Sequence, residues 1–211
     1  MEKIYKVKQI TRLYDSCNAC GLPSINCICH TSARVRTQAK FWILSSEREF
    51  YRPSNTARLL KLINPDSTEL FIWERTKRPE QLVENIRSEK YAVFVLFPAE
   101  NEELENRKVK FERTDKIPVF IILDGTWKEA RRIFRKSDFL KSLPIVSIQP
   151  TVASNYDLRR GAAEGNLCTI EAAIEIVKMN GELETSQVID DYYHLFLKSY
   201  KAGVSGHRLQ E

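Results

Sequence analysis

The segment Val119-Phe120-Ile121-Ile122-Leu123-Asp124-Gly125-Thr126-Trp127 changes from five apolar residues to Asp-Gly-Thr-Trp and then to a helical pattern. An unbroken apolar run is typical of a central strand that is buried on both faces of a sheet. Asp124 then lies at the carboxyl end of that strand, where open α/β sheets bind their ligands. Gly125 allows the backbone to approach a ligand closely, and Thr126 is a good helix cap. The alternative is that Asp124 and Thr126 only cap the helix and that Trp127 packs in the core.

Strand and helix patterns alternate on both sides of this segment. Short apolar runs predict strands, and apolar residues at helical spacing behind a cap or a proline predict helices. Their alternation predicts an α/β fold with a mostly parallel sheet and flanking helices. The predicted strands cover residues 41–44, 70–73, 91–97, 118–123 and 145–148, and the predicted helices cover 55–63, 79–87, 127–135, 169–179 and 186–201.

The composition is that of an ordinary globular protein. With 43% hydrophobic residues, 7 glycines and 8 prolines, the 211-residue chain resembles neither a disordered nor a collagen-like protein. No apolar run reaches the ~18 residues that a membrane helix needs, and the first residues do not form a signal-peptide pattern. We therefore expect a cytoplasmic protein with no membrane partner.

The net charge of +5 is confined to one end of the chain. Residues 1–40 contain seven Lys and Arg against two acidic residues, whereas residues 41–211 contain 26 of each sign. A local positive excess is compatible with a polyanionic partner, although a basic solvated surface gives the same pattern. We predict a basic N-terminal segment over residues 1–40, followed by an α/β domain over residues 41–211.

Four of the five cysteines lie within thirteen residues. Cys17, Cys20, Cys27 and Cys29 have the spacing C-x2-C-x6-C-x-C, and His30 follows the last of them. A chain without an export signal is kept reduced, where clustered cysteines bind a metal more often than they form disulfides. Four thiolates predict a closed, structural zinc site. The alternatives are another metal, a redox pair, or His30 in place of one thiolate.

The helix predicted after Trp127 is strongly basic. Lys128, Arg131, Arg132 and Arg135 oppose a single acidic residue, Glu129. A basic stripe beside a ligand-binding crevice is suited to phosphate contacts, but amphipathic helices also carry such faces for solubility alone. Arg34 and Arg36 are further candidates for contacts with a nucleic acid.

A second polar motif precedes the helix predicted at 169–179. Gly165 and Thr169 frame a loop that leads to the N-terminus of this helix, whose free amides can hold an anion. The alternative is a capped helix with an exposed Glu171. Cys168 has no cysteine partner nearby and is interpreted as a small buried residue.

Several of these segments together resemble one known family. Asp124-Gly125-Thr126-Trp127, followed by Glu129-Ala130-Arg131, resembles the Asp-x-Thr-Trp signature of the DTW-domain family, the tRNA-uridine aminocarboxypropyltransferases. The cysteine cluster resembles the zinc knuckle of that family. Two differences are that Cys168 replaces an expected serine and that Ser45-Ser46 replaces a histidine found in many members. Further similar segments are Asn55-Thr56-Ala57-Arg58-Leu59, Leu96-Phe97-Pro98, Leu158-Arg159 and Leu167-Cys168-Thr169-Ile170-Glu171-Ala172.

The resemblance implies a specific reaction. Such enzymes transfer the 3-amino-3-carboxypropyl group of S-adenosylmethionine to N3 of a uridine in tRNA, in the variable loop at position 47, and release 5′-methylthioadenosine. It also implies a sheet tied in a trefoil knot, as in the similar SPOUT class. The rival interpretations are an S-adenosylmethionine-dependent RNA methyltransferase and a zinc-containing RNA-binding module without activity. We expect a monomer.

The resemblance also implies roles for individual residues. Asp124 is expected to act as the general base that takes the N3 proton. Arg159 is expected to bind the methionine carboxylate with two hydrogen bonds. The zinc knuckle and the basic helix are expected to hold the RNA. The expected cofactor-binding residues are Leu123, Gly125, Thr126, Trp127, Leu158, Arg159, Thr169, Glu171 and Ala172.

Overall fold

The fold is built on a parallel sheet. A computed structural model describes residues 6–31, 34–148, 158 and 167–209 of the chain. Within these residues, five strands pair in the order β2-β1-β4-β3-β5, and every neighbouring pair is parallel. This confirms the predicted α/β fold. The strands are β1 (Lys40–Ser45), β2 (Thr68–Ile72), β3 (Tyr91–Leu96), β4 (Ile117–Asp124) and β5 (Ile145–Val146).

Helices follow the strands as the alternating pattern predicted, with small shifts at their ends. The last helix begins three residues earlier than predicted, at Leu183, and two short helices were not predicted. The helices are α1 (Glu47–Phe50), α2 (Ala57–Ile63), α3 (Glu80–Arg87), α4 (Glu102–Glu105), α5 (Trp127–Lys136), α6 (Thr169–Met179) and α7 (Leu183–Val204).

Strand β5 is shorter than predicted because its partner strand stops. The prediction extended to residue 148, but β5 ends at Val146. The backbone N–H of Phe97 donates to the Val146 carbonyl at 3.2 Å. The partner strand β3 itself ends at Leu96, so β5 has no further strand residues to pair with.

The central strand β4 is covered on both faces, which explains its unbroken apolar run. On one face, Phe120 and Ile122 pack with α2, α6 and α7 in a cluster that we call the first core. On the other face, Val119, Ile121 and Leu123 pack with α3 and α5 in a second core. Because successive side chains of a strand point to opposite faces, a strand between two layers of helices must be apolar throughout.

Strand order places the ends of β1 and β4 at the ligand-binding edge of the sheet. From β1 the chain moves outward to β2 on one side, and from β4 it moves past β3 to β5 on the other side. Two adjacent strands whose connections leave in opposite directions form a topological switch point, with a crevice at their carboxyl ends. Ser45 and Asp124 are register partners at this position.

The cysteine knuckle shares a core with the α/β body. Its buried side chains Cys20, Leu22 and Ile28 belong to the first core. The side chain of Asn26 also donates to the carbonyls of Ser199 and His207, at 3.3 and 2.8 Å. The boundary at residue 40 and the trefoil knot stay predictions. No helix in the described ranges is long and apolar enough to span a membrane.

The first core makes a prediction about stability. Phe120 is fully buried, and its ring lies 5.5 Å from that of Phe94 and 5.3 Å from that of Phe111, between centroids. Replacing Phe120 with alanine is expected to lower the free energy of unfolding by about 3–5 kcal/mol, because it leaves a cavity in the central layer. Leu183→Ala is the control, since that side chain is 66% exposed and its loss should change little. Urea denaturation measures both, and equal effects would contradict the assignment of the core.

Candidate functional site

The carboxylate of Asp124 is the centre of the switch-point crevice. The residue is 4% exposed. Its Oδ2 accepts hydrogen bonds from Asn55 Nδ2 at 2.7 Å and from Ser45 Oγ at 2.9 Å, and its Oδ1 accepts one from Thr169 Oγ1 at 2.5 Å. Three side chains from three separate segments therefore fix the orientation of one carboxylate.

Burial controls the electrostatics of Asp124. Burial raises the pKa of this carboxyl, the hydrogen bonds from Thr169, Asn55 and Ser45 counteract that rise in part, and the nearby Glu129 adds to it. No Lys or Arg within the described residues forms a salt bridge with Asp124. A carboxylate with a raised pKa is a stronger base than an exposed one, so this group is suited to accepting a proton.

The donors to Asp124 are positioned by the ends of secondary structure elements. Ser45 ends β1, and Thr169 begins α6. Asn55 precedes α2, and its Oδ1 accepts a hydrogen bond from the Arg58 N–H at 3.1 Å. The predicted helix start at residue 55 was therefore two residues early, because the Asn55 side chain bonds to the first turn and also reaches Asp124. The hydroxyl of Thr56 accepts a bond from the Ile170 N–H at 3.4 Å and joins α2 to α6.

The turn after Asp124 is held by a capping box. Thr126 Oγ1 accepts from the Glu129 N–H at 3.3 Å, while Glu129 Oε2 accepts from the Thr126 N–H at 2.8 Å. Gly125 has a φ of +146°, and a Cβ there would lie 3.1 Å from the Glu129 Cβ, so glycine fits this turn best. Burial tends to raise the pKa of Glu129, but its bonds from Thr126 and the nearby Arg52 and Arg48 lower it.

A short chain of charges extends from this capping box. Arg52 Nη2 lies 3.9 Å from Glu129 Oε1, and Arg52 Nη1 lies 2.9 Å from Glu49 Oε2. Glu49 is fully buried on α1. Arg52 therefore joins the loop before α2 to the first turn of α5.

Two expected cofactor-binding residues, Leu123 at the end of β4 and Trp127 at the start of α5, have different surroundings. The side chain of Leu123 packs in the second core. Trp127 is 37% exposed, and its ring stacks on that of Phe97 with 5.7 Å between centroids. Trp127 is thus neither buried in the core, as the capping alternative required, nor hydrogen-bonded to Asp124.

Three further expected cofactor-binding residues, Thr169, Glu171 and Ala172, lie in the first turn of α6. Glu171 is buried, which corrects the alternative of an exposed side chain: it accepts from the Cys168 N–H at 2.8 Å and from the Tyr193 hydroxyl at 3.2 Å. Ala172 is also buried. Burial raises the pKa of Cys168 to about 12, which fits the interpretation of an unreactive thiol. Leu158 packs against the first core, and Arg159 lies outside the described residues.

The predicted RNA-binding residues are at the surface. The four basic residues on α5 are exposed, and Ala130 and Ile133 turn to the core as predicted. Arg131 also pairs with Glu100 at 2.7 Å, and the Arg132 guanidinium lies 5.7 Å from the centroid of the Trp73 ring. The four residues are Lys128, Arg131, Arg132 and Arg135; Arg34 and Arg36 are exposed as well.

The four clustered cysteines are placed to hold a metal ion. Their sulfur atoms all lie within 4.8 Å of one another, with 3.7 Å between Cys17 and Cys29 and 3.8 Å between Cys20 and Cys27. Four sulfurs at the ~2.3 Å zinc–sulfur distance form a tetrahedron with edges of about 3.8 Å, so the cluster fits zinc. No disulfide joins these four cysteines, because a disulfide requires a sulfur–sulfur distance of ~2.05 Å. His30 is not part of the group.

The buried Cys20 thiol needs a nearby cation to ionise. Burial raises the pKa of Cys20 to about 12, and the neighbouring Cys17 and Cys27 add to the rise. Metal binding supplies the positive charge that holds four thiolates together. The donor set of four sulfurs leaves no open position for catalysis, which indicates a structural role.

Sequence reasoning did not assign two of the residues that bond to Asp124. Ser45 was noted only as a difference from the resembled family, and Asn55 only as part of a motif and as a helix cap. Ser45 had a detectable signal, since it directly follows the apolar run of residues 41–44 and therefore lies at the carboxyl end of a strand. Asn55 follows no apolar run, so its sequence position gave no such signal. The register between β1 and β4 was the missing information.

Comparison with known proteins identifies the class. A parallel α/β sheet, a buried carboxylate in an Asp-Gly-Thr-Trp turn and a four-thiol cluster lie in one chain. The model of the DTW domain matches residues 14–201, so the chain belongs to the DTW-domain family. Membership of this family supports a function in tRNA modification. No solved structure matches the chain.

The thiol cluster makes a prediction about metal content. The reduced protein is expected to contain about one equivalent of zinc, and Cys20→Ser should remove most of it because it deletes a buried ligand. Cys168→Ser is the matched control, since this thiol is not one of the four clustered sulfurs and its loss should leave the zinc content unchanged. Elemental analysis measures both variants. Zinc well below one equivalent in reduced wild-type protein would contradict the four-thiolate site.

Proposed function

We propose that the protein is a tRNA-uridine aminocarboxypropyltransferase. It would transfer the 3-amino-3-carboxypropyl group of S-adenosylmethionine to N3 of a uridine in tRNA, in the variable loop at position 47, and release 5′-methylthioadenosine. The observation that carries this proposal is the buried, oriented carboxylate of Asp124 at the switch point of a DTW-domain fold.

The crevice has features that fit S-adenosylmethionine. This co-substrate is positively charged at its sulfonium and ammonium groups, and Asp124 is a buried carboxylate without a salt bridge among the described residues. Gly125, which lacks a side chain, lets the molecule approach the backbone. In this proposal Leu123, Gly125, Thr126 and Trp127 form one wall of the cofactor site. Its other wall consists of Leu158, Arg159, Thr169, Glu171 and Ala172.

Glu171 and Thr169 would support this wall more than they would contact the co-substrate. The Glu171 carboxylate already bonds to the Cys168 N–H and the Tyr193 hydroxyl. The Thr169 hydroxyl already donates to Asp124. Both residues therefore fix the start of α6 against β4, and their contribution to binding is to hold the crevice in one shape.

The reaction requires that a proton leave the uridine N3. The bound co-substrate supplies an electrophilic carbon on a sulfonium sulfur, and the sulfur leaves with the electron pair of that bond as a neutral thioether. Asp124 would accept the N3 proton as the new carbon–nitrogen bond forms. Its Oδ1 accepts one hydrogen bond within the described residues, from Thr169, so this oxygen retains a lone pair for that proton.

The choice between aminocarboxypropyl and methyl transfer is one of orientation. Both groups are bonded to the same sulfonium, so the protein selects the carbon that it holds in line with the nucleophile. Rigid walls favour such selection. The two walls are joined by hydrogen bonds from Asn55 and Thr169 to the Asp124 carboxylate. The hydrogen bond between the Thr56 hydroxyl and the Ile170 N–H joins α2 to α6.

The α5 surface is proposed to bind the tRNA backbone. This helix begins three residues after Asp124, so its exposed basic side chains start at the rim of the crevice. Lys128, Arg131, Arg132 and Arg135 would contact phosphates, together with Arg34 and Arg36 from the N-terminal segment. The target uridine must be unpaired to expose N3, which favours a loop region of the RNA.

Loss of the base makes a prediction about activity. Asp124→Asn is expected to reduce aminocarboxypropyl transfer by about 10²–10⁴-fold, because the amide keeps the shape of the side chain but accepts no proton. The assay uses bulk tRNA from cells in which the gene is deleted, with nucleoside mass spectrometry for the product and chromatography for 5′-methylthioadenosine. Asp115→Asn is the matched control, an exposed carboxylate two residues before the start of the same strand.

Two outcomes of that assay would contradict the proposal. With methyl-labelled co-substrate, label in the RNA would identify a methyltransferase. RNA that stays unmodified, although wild-type protein binds it, would identify a binding module without activity.

The basic surface makes a prediction about salt dependence. Replacing Arg135 with glutamine is expected to weaken binding to all tRNAs alike and to reduce the slope of log K against log salt by about 1, since one phosphate contact is lost. Lys198→Gln is the control, an exposed lysine on α7, in the opposite layer of helices. Fluorescence anisotropy at several salt concentrations measures the slopes. An equal change in both variants would contradict the α5 surface.

A further inference from the structure

The loop before α2 lies between the cysteine knuckle and Asp124. On the knuckle side, the turn at Gly21 is so close to this loop that a Cβ on Gly21 would lie 2.6 Å from the Pro53 carbonyl oxygen. On the other side, Asn55 donates to Asp124 at 2.7 Å. Asn55 follows Pro53 by two positions. A shift of the knuckle against Pro53 is therefore expected to move Asn55, which orients Asp124.

Arg58 connects the same two regions through its side chain. Its Nη1 donates to the carbonyl of Asn18, between two of the clustered cysteines, at 3.2 Å, and its Nη2 donates to the carbonyl of Phe50. Its backbone N–H donates to Asn55 Oδ1 at 3.1 Å. One residue in the first turn of α2 thus holds the knuckle with its guanidinium and Asn55 with its amide.

The charge of Arg58 is buried between two anionic centres. The residue is 7% exposed, and within the described ranges its guanidinium bonds to carbonyls and forms no ion pair. Burial lowers the pKa of Arg58, while the nearby Cys20, Asp124 and Cys17 counteract that change. Four thiolates around one Zn²⁺ carry more negative charge than the ion neutralises. A buried cation is stable only when such charge lies close to it.

We propose that Arg58 is a positioning residue that couples metal binding at Cys17, Cys20, Cys27 and Cys29 to the orientation of Asn55 and Asp124. The bound metal fixes the knuckle carbonyl that Arg58 holds, and Arg58 fixes the helix turn that holds Asn55. The catalytic consequence rests on the proposed role of Asp124. The coupling itself does not, because it concerns hydrogen bonds and metal affinity.

The first test measures zinc affinity in the full chain by competition with a chromogenic chelator. Arg58→Gln removes the charge opposite the thiolates and is expected to weaken zinc binding by about 10- to 100-fold, as loss of a supporting group around a metal site does. Arg58→Lys keeps the charge and should stay within about threefold of wild type. Both variants lack the planar guanidinium group. A difference in zinc affinity between them therefore measures the effect of the charge.

Arg107→Gln is the matched control. Arg107 is a half-buried arginine that bonds to the carbonyls of Leu140 and Leu143, remote from the cysteines, and its loss should leave zinc affinity unchanged. Wild-type affinity in Arg58→Gln would overturn the proposal, as would an equal loss in Arg107→Gln.

The second test measures hydrogen exchange of the wild-type protein with zinc and after its removal by a chelator. The N–H groups of Arg58 and Ile170 are expected to exchange about fivefold faster or more without zinc, because their partners Asn55 and Thr56 lose their fixed positions. Zinc-loaded Arg58→Lys should show the same increase, while the central strand β4 stays protected. A change limited to residues 17–29, or a uniform increase that includes β4, would overturn the coupling.

The two tests separate this inference from the proposed function. Wild-type protein that shows the coupling but transfers no aminocarboxypropyl group contradicts the function alone. Protein that transfers the group but keeps its exchange pattern without zinc contradicts the coupling alone.

Discussion

The buried carboxylate of Asp124 must receive hydrogen bonds from segments that are distant in the sequence. An unpaired polar group in this position would cost about 1–3 kcal/mol, and more for a charge. Ser45, Asn55 and Thr169 meet that demand from β1, the loop before α2 and the start of α6. The carboxylate is satisfied only when all three segments are in place, so the functional site and the fold form together.

The same hydrogen bonds distinguish the two oxygens of the Asp124 carboxylate. The bonds from Asn55 and Ser45 converge on Oδ2, whereas Oδ1 bonds to Thr169 within the described residues. Burial raises the pKa of the Asp124 carboxyl, and its hydrogen bonds counteract part of that rise. In the proposed reaction, Asp124 would be oriented through Oδ2 and would accept the proton on Oδ1, which combines positioning with proton transfer.

Local patterns predicted the elements of the fold, but not the contacts between them. The run from Val119 to Leu123 predicted a buried strand because burial on both faces leaves only apolar residues. The pairing of Ser45 with Asp124 could not be predicted, since strand order depends on contacts between residues 79 positions apart. Glu171 shows the same limit, because its burial depends on the Tyr193 hydroxyl from a different helix.

The cysteine cluster illustrates a case in which spacing predicted the group but not its place in the molecule. The spacing of Cys17, Cys20, Cys27 and Cys29 predicted a metal site, and their sulfurs do lie together. The concentration of positive charge in residues 1–40 suggested a separate RNA-docking segment, yet Leu22 and Ile28 pack in the same core as the sheet.

The two observations are compatible because the exposed side and the buried side of this segment carry different residues. Arg34 and Arg36 are exposed to solvent, whereas the Asn18 carbonyl bonds to Arg58 of α2 and the Asn26 side chain bonds to Ser199 of α7. A segment of this size cannot build a core of its own, so it packs on the first core of the α/β body. A metal held by its four sulfurs would add to that stability.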